Sequence, residues 1–404
     1  MNDHVANQQT SLPVTTSQLM DTYARLPVRI ERGEGAWLFD DTGQAYLDAV
    51  AGIGVCSLGH AHPELAETIA EQARTLIHAA NLVEVPWQEP LAAELCARSG
   101  MDNAFLANSG LEAIECAIKL TRLIAHQRGI DEPRVAVATR SFHGRSLAAI
   151  SASGSDKART GFEPLVTGFT RVPYGDSEAL RQALDEDEQI IAVMVEPIQG
   201  EAGVNVPPDG YLRALRRHCD ETGRLLVADE IQTGLCRTGH WYACTGQGVT
   251  PDILTTAKAL GNGVPIGACL ARGEAARAFT PGRHGSTFGG NPLACRTACK
   301  VLEIMARDGI AAHAGEIGQR LLSTLRDELA EQPGVVDVRG RGLMIGVELD
   351  RPAAPARLAA LERGLLINVT AERVIRLLPP LIIDRDEADR IAEGVIEAVR
   401  ACVD

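Results

Sequence analysis

Four short segments carry residue types that can do chemistry. In VADEIQTGLCRTG (227–239), Asp229 ends an apolar run that reads as a buried strand. Ligands of open parallel sheets bind beyond the carboxyl ends of the strands, and a carboxylate in that low-dielectric place needs a cationic partner. Helix capping or a structural ion pair is the plainer alternative. TTAKALGNGVPIG (255–267) sets Lys258 at a second strand end, with Gly261 and Gly263 following. A partly desolvated lysine has a lowered pKa and can serve as a Schiff-base nucleophile, although a lysine snorkelling from a sheet edge would look the same. FLANSGLEAIECAIK (105–119) joins a strand to a helix through Asn108-Ser109-Gly110. The N–H groups of such a turn suit a phosphate, with the Ser109 hydroxyl as a further donor. Taken alone, N-capping by Asn108 or Ser109 explains that turn better. HGSTFGGNPLAC (284–295) offers glycines, Ser286 and Thr287, either as anion donors or as a loop before a helix.

The combination is more specific than its parts. A strand-end aspartate, a strand-end lysine 29 residues on and an upstream Ser-Gly turn together suit pyridoxal 5′-phosphate (PLP). That cofactor needs a lysine for its aldehyde, an acid near its pyridine nitrogen and a cup for its phosphate. The chain has no G-x-x-x-x-G-K-[ST] and no G-x-G-x-x-G after a strand, so P-loop and nicotinamide-dinucleotide readings fall away.

The rest of the chain must position these groups. AFLAN (104–108), RVAVAT (134–139), IIAVMVEP (190–197), RLLVADE (224–230), DILTTAK (252–258) and IGACLA (266–271) are short, nearly unbroken apolar runs, as in parallel strands buried on both faces. Helical patterns at 111–128 and 208–223 lie between some of them, which predicts an α/β sheet flanked by helices. After about residue 300 come helices at 290–308 and 310–331, a strand pair in 335–349, strands near 365–378 and a terminal helix at 385–403. The expected division is residues 1–62 as an N-terminal segment joining a small domain, 63–305 as a large PLP-binding domain, and 306–404 as the C-terminal α+β small domain. Residues 1–18 read as a loose arm, and WLFDDTGQAYLDAV (37–50) as two strands around a turn.

At 404 residues and 45% apolar content the chain can bury two packed domains. A net charge of −14 disfavours nucleic acid and anionic membranes as partners. The polar start lacks a signal-peptide pattern and no apolar run approaches a membrane span, so a cytoplasmic protein is expected. Ten scattered cysteines form no C-x-x-C and no zinc spacing, and read as reduced, mostly buried small apolar residues; no metal is expected.

The segments NSGLEAIECAIK, SFHGRSLAAIS (141–151), VEPIQGEAGV (195–204), VADEIQTGLCRTG, TTAKALGNGVPIGA and HGSTFGGNPLAC make the chain, over roughly residues 25–400, resemble the class III aminotransferases of fold type I, within them the acetylornithine/ornithine aminotransferase group. The resemblance implies that Lys258 forms the Schiff base and shuttles a proton, and that Asp229 keeps the pyridine nitrogen protonated. By the same pattern Gln232 bonds the ring 3-oxygen, Ser109 and Gly110 hold the phosphate, and Phe142 stacks on the ring. His143, beside Phe142, reads as structural. Thr287 would reach the phosphate of a neighbouring subunit's cofactor, implying a homodimer with shared active sites. Arg145 and Arg376 would clamp carboxylates, with Glu201 masking Arg376 when no dicarboxylate is bound; a structural ion pair is the alternative for each arginine.

Ile53 stands where ornithine-type relatives carry a tyrosine, and so favours a donor with a blocked α-amide over free ornithine. Leu111 and Ile114 alter packing beneath the phosphate turn. The implied reaction moves the δ-amino group of N2-acetyl-L-ornithine to 2-oxoglutarate, a step of arginine biosynthesis. Succinylornithine, 4-aminobutyrate, ornithine and N-succinyldiaminopimelate are competing donors, and a PLP-dependent aminomutase or racemase is a competing class.

Overall fold

Six of the apolar runs condense into one seven-stranded sheet, seen in a computed structural model that describes residues 18–403. The strand order is Asn103–Ala107, Gly267–Ala271, Ile253–Thr256, Leu225–Asp229, Ile190–Val195, Arg134–Ala138, Phe169–Val172. Five strands pair in parallel, while Gly267–Ala271 runs antiparallel to both neighbours. The mostly parallel α/β sheet expected from the apolar runs is therefore present. Phe169–Val172, at one edge, is a strand that the apolar pattern does not announce.

Successive residues of these strands bury against opposite layers. Val135, Val137, Ile191, Met194 and Val227 pack with Ile114, Ile118 and Ile124 of helix Gly110–Gln127. Ala136, Val193, Val195, Leu226 and Ala228 pack with Leu180, Leu184, Leu212 and Leu215 of the helices on the other face. Covering both faces is what permits continuous apolar strands.

The later part of the chain forms helices Pro292–Arg307 and Ile310–Leu329, the antiparallel pair Val335–Arg341 and Met344–Leu349, and helix Arg385–Val403. Met344–Leu349 continues into a four-stranded sheet through Val374–Leu377 and Asn368–Thr370. Near the start, Ile30–Glu34, Trp37–Asp40 and Ala45–Asp48 form a meander, and Leu365–Leu366 adds a parallel fourth strand to it. Residues from both ends of the chain thus share one sheet. The buried Arg237 guanidinium donates to the carbonyls of Leu343 (3.0 Å) and Pro379 (2.6 Å), tying the large sheet's loop to the later segments. Burial lowers its pKa to about 9.

Ala51, Gly52, Ile53 and Gly54 all have positive φ, at 47°, 64°, 67° and 75°. They form a single left-handed turn. A β-branched residue there is strained, at about 1–2 kcal/mol. Buried Asp48 holds the turn's entry: one oxygen accepts the N–H groups of Val50 (2.9 Å) and Ala51 (2.8 Å), and the other pairs with His60 Nε2 at 2.9 Å.

The ten cysteines are unbridged, and six of them are buried. Among the described residues no helix is long and apolar enough to cross a membrane. Among the same residues no cluster of three or more His, Cys, Asp or Glu side chains could hold a metal ion. The arm expected at residues 1–18 lies, but for residue 18, outside the described residues.

Candidate active site

The carboxyl ends of the central strands open onto a cavity of about 490 Å3. Ser109, Gly110, Phe142, Arg145, Glu201, Asp229, Gln232 and Lys258 all line it. These residues span 150 positions of sequence, from 109 to 258. The sheet brings them together because each sits at a strand end or in the loop just beyond one.

Asp229 is the last residue of strand Leu225–Asp229 and is 5% exposed. Its Oδ2 lies 2.7 Å from His143 Nδ1, and its Oδ1 accepts the Ile231 N–H at 3.2 Å. The His143 ring is buried and its Nε2 has no hydrogen-bond partner. Burial works against a charged His143. The hydrogen bond and charge of Asp229 outweigh it, so the imidazole pKa is raised. With its proton on Nδ1, His143 donates to Asp229 Oδ2, while Asp229 Oδ1 accepts from the Ile231 N–H and, at 3.4 Å, from Thr255 Oγ1.

Strand Ile253–Thr256 ends two residues before Lys258, slightly earlier than the apolar run suggests. Ala257 leaves the sheet, and Lys258 opens a short 3-10 turn with φ 43°. Left-handed backbone at a non-glycine residue is a strain that clusters at functional sites. Lys258 keeps one face toward the cavity, yet burial lowers its pKa to about 8. Glu201 and Asp229 oppose that shift, and Arg376 reinforces it. The amine is still mostly protonated at pH 7, but its neutral, nucleophilic fraction is roughly a few hundredfold larger than that of an ordinary lysine.

Ser109 is the N-cap of the 18-residue helix Gly110–Gln127, its Oγ accepting the Glu112 N–H at 3.2 Å. Glu112 reaches back to the Asn108 N–H at 2.8 Å, completing a cap of the Ser-x-x-Glu type. Capping and anion binding do not compete here, because an accepting Oγ still has its own proton to donate. Gly110 packs directly on Ile231: a Cβ there would lie 2.7 Å from Ile231 Cδ1.

Arg376, in strand Val374–Leu377, is fully buried. Its Nη1 donates to Glu201 Oε1 at 2.6 Å and to Gln232 Oε1 at 3.2 Å. Its Nε and Nη2 are buried without partners. Burial raises the Glu201 pKa, but the Arg376 charge and hydrogen bond prevail and leave it lowered. The guanidinium therefore has one edge paired with two cavity-lining residues and the other edge unpaired but closed off, so a carboxylate fork reaches it only once side chains move. Arg145 is exposed, with its guanidinium 5.5 Å from the Phe142 ring centre.

Three expected site residues do not line the cavity of this chain: Ile53, Thr287 and Arg376, the last fully buried behind Glu201 and Gln232. Ile53 projects from the left-handed turn at 41% exposure, while Val55, two residues on, is a cavity wall. Thr287 is exposed on the loop after strand Gly267–Ala271. Sequence reasoning also missed a wall residue, Glu196, which directly follows the fully buried strand Ile190–Val195. The strand-end rule that flags Asp229 flags Glu196 equally.

The donor set fits PLP. It offers a lysine amine of lowered pKa, a buried carboxylate across from it, and the N-terminus of a long helix at the cavity's edge. The aminotransferase class-III family model matches residues 20–399. Acetylornithine aminotransferase of Nitrosomonas europaea is 50% identical over 94% of this chain and 96% of its own length. The protein of that name from Methanothermobacter thermautotrophicus is 45% identical over 92% of this chain and 93% of its own. Among solved structures, ornithine aminotransferase from Toxoplasma gondii superposes with a TM-score of 0.92 at 37% identity, covering 95% of this chain and 93% of that one. Acetylornithine aminotransferase from Elizabethkingia anophelis gives 0.85 at 32% identity, covering 95% and 96%. The cavity and these likenesses agree: the chain belongs to the class-III aminotransferases, a PLP-using family.

Proposed function

We propose that this chain transfers the δ-amino group of N2-acetyl-L-ornithine to 2-oxoglutarate, giving N-acetyl-L-glutamate 5-semialdehyde and L-glutamate, as a step of arginine biosynthesis. The observation that carries the donor is the run of relatives named acetylornithine aminotransferase, at 44–50% identity over nearly the whole chain. Structural likeness alone does not choose the donor, since ornithine aminotransferases superpose as well.

PLP, when bound, supplies an aldehyde for the amine and a ring that accepts the electron pair of the deprotonated substrate carbon. In this reading Lys258 Nζ holds the cofactor and then moves a proton at the substrate carbon. Asp229, oriented by His143, accepts the N–H of the pyridine ring. The N–H groups of Ser109 and Gly110, with the Ser109 hydroxyl, hold the phosphate. Phe142 covers one ring face and Gln232 reaches the ring oxygen. Arg376 takes the second carboxylate of 2-oxoglutarate and L-glutamate, and Glu201 neutralises it when acetylornithine is bound. Arg145 takes a further carboxylate, and Ile53 faces the donor's blocked amide.

The protein acts as a homodimer in this proposal, with Thr287 serving the other subunit's phosphate. Its support is an exposed patch: Leu82, Val83 and Phe288 are 92%, 62% and 62% exposed. Asn81 knits the two loops of the patch together by donating to the carbonyls of Ser286 (3.2 Å) and Gly289 (2.9 Å). The same proposal groups 63–305 as the cofactor-binding unit and 306–404 with 1–62 as the smaller one. Pairing of Leu365–Leu366 with Ala45–Asp48 supports that grouping.

A single-turnover screen tests the donor. Purified holoenzyme is mixed with acetylornithine, succinylornithine, ornithine and 4-aminobutyrate, and the absorbance of the lysine-bound cofactor is followed. Acetylornithine should react fastest; reaction no faster than with 4-aminobutyrate would refute the assignment.

A further inference from the structure

Glu196 is a cavity carboxylate to which no role has been given. It is 7% exposed. Burial pushes its pKa up to about 7, against the opposing charge of His143. Its two oxygens serve two different segments. Oε1 accepts the N–H of Phe142 at 2.9 Å, and Oε2 accepts the N–H of Gly200 at 3.2 Å. Phe142 carries the ring-covering side chain and precedes His143. Gly200 precedes Glu201.

The Gly200 segment has little freedom of its own. A Cβ at Gly200 would lie 2.1 Å from Gln232 Oε1, so the backbone lies directly against that side chain. The loop closes on itself through Gly203 N–H to Gly200 O at 3.2 Å and the mutual bonds of Gln199 and Asn205. On the far side Thr370 Oγ donates to the Glu201 carbonyl. Glu196 is the tether on the near side. It holds the peptide immediately before Glu201, whose carboxylate meets Arg376.

We propose that Glu196 is a positioning residue that ties the Phe142 segment to the Glu201 loop and thereby sets how well Glu201 masks Arg376, hence the balance between the acetylated donor and dicarboxylates. The inference rests on the reading of Glu201 and Arg376 given above. Two N–H donors require two acceptor oxygens, which a carboxylate has. A glutamine would turn an NH2 toward one of them, leaving a buried N–H unpaired and that segment loose.

The test compares Glu196→Gln, Glu196→Asp, Glu201→Gln and the Glu196→Gln/Glu201→Gln double variant as holoenzymes. Half-reactions with acetylornithine and with L-glutamate are measured separately, and kcat/KM is split into its parts. Glu196→Gln should lower the acetylornithine-to-glutamate ratio of kcat/KM about tenfold, chiefly through KM for acetylornithine. Glu196→Asp, which keeps a carboxylate, should fall between it and the unaltered enzyme, and it carries the test should the glutamine variant fail to fold. Glu201→Gln should shift the ratio at least as far, and the double variant no further than Glu201→Gln alone, since the two act through one contact. Equal slowing of both half-reactions by Glu196→Gln, or full additivity with Glu201→Gln, overturns the role of Glu196 and leaves the masking of Arg376 standing. An unchanged ratio in Glu201→Gln overturns the masking itself, and the inference with it.

Discussion

Replacing Lys258 with methionine should stabilise the cofactor-free protein at pH 7. Burial lowers the Lys258 pKa from 10.5 to about 8. Each pKa unit is worth about 1.4 kcal/mol, so the fold carries a penalty of up to about 3 kcal/mol for holding this amine protonated. That is an upper value, because the side chain keeps one face toward the cavity. The sign follows from proton counting. Between about pH 8 and 10.5 the unfolded chain binds the lysine proton and the folded chain has released it, so stability rises with pH across that window. Below about pH 8 the penalty is complete. Methionine has no proton to hold and similar length. Denaturant unfolding of both apoproteins should therefore show Lys258→Met the more stable by up to about 3 kcal/mol at pH 7, with the gap closing toward pH 10.5. The rate at which the unaltered apoprotein captures PLP should rise with pH to a plateau, with its midpoint near 8. A methionine variant no more stable at pH 7, or a capture midpoint near 10.5, would refute the claim that burial prepares this amine.

Three further outcomes are expected. Gly110→Ala places a methyl 2.7 Å from Ile231 Cδ1, which should weaken PLP affinity about tenfold or more through a shift of the phosphate turn (about 1.4 kcal/mol per tenfold) while far-ultraviolet dichroism stays unchanged; equilibrium dialysis reads it. Ile53→Tyr should raise kcat/KM for free ornithine about 10–100-fold, the worth of a hydrogen bond to a charged group; steady-state kinetics with both donors checks this, and no gain would remove Ile53 from the donor site. The Asp48 hydrogen bond, and next that of Cys56, raises the His60 pKa from 6.5 to about 9. His60 therefore stabilises the fold fully below pH 6.5, and the contribution is lost as pH rises through 9. Melting curves of His60→Gln against the unaltered protein should show their widest gap near pH 6 and little gap at pH 10.

How much of this was legible in the sequence depended on what surrounds each element. Strands covered on both faces announce themselves as apolar runs, and all six such runs are strands of the main sheet. Phe169–Val172 and Ile30–Glu34 each pair on one side only; FTRV and IERGE carry charges that an edge position tolerates. The reversal of Gly267–Ala271 leaves no mark on composition. It was nonetheless implicit in the ten residues between Thr256 and Gly267, a link shorter than the dozen or more that a parallel crossover needs.

The site divides in the same way. Asp229 and Lys258 could be picked out because a charge just beyond a buried strand is costly and so conspicuous. Arg376 had a comparable signal, a charge inside the fully buried run VIRL, yet only the family resemblance singled it out. Its pairing with Glu201, 175 positions away, is a property of the sheet's geometry. The left-handed turn at 51–54 lies furthest from sequence reasoning. Gly52 and Gly54 permit it, but Ala51 and Ile53 are forced into it against their own preference. What imposes it is the pair of Asp48 bonds to Val50 and Ala51, themselves anchored by His60 twelve residues on. A residue whose backbone is dictated by a buried carboxylate behind it has been placed by tertiary structure. Ile53 in this chain is therefore a position where local propensity was overruled by the tertiary structure around it, and its side chain stands 41% exposed, outside the cavity lining.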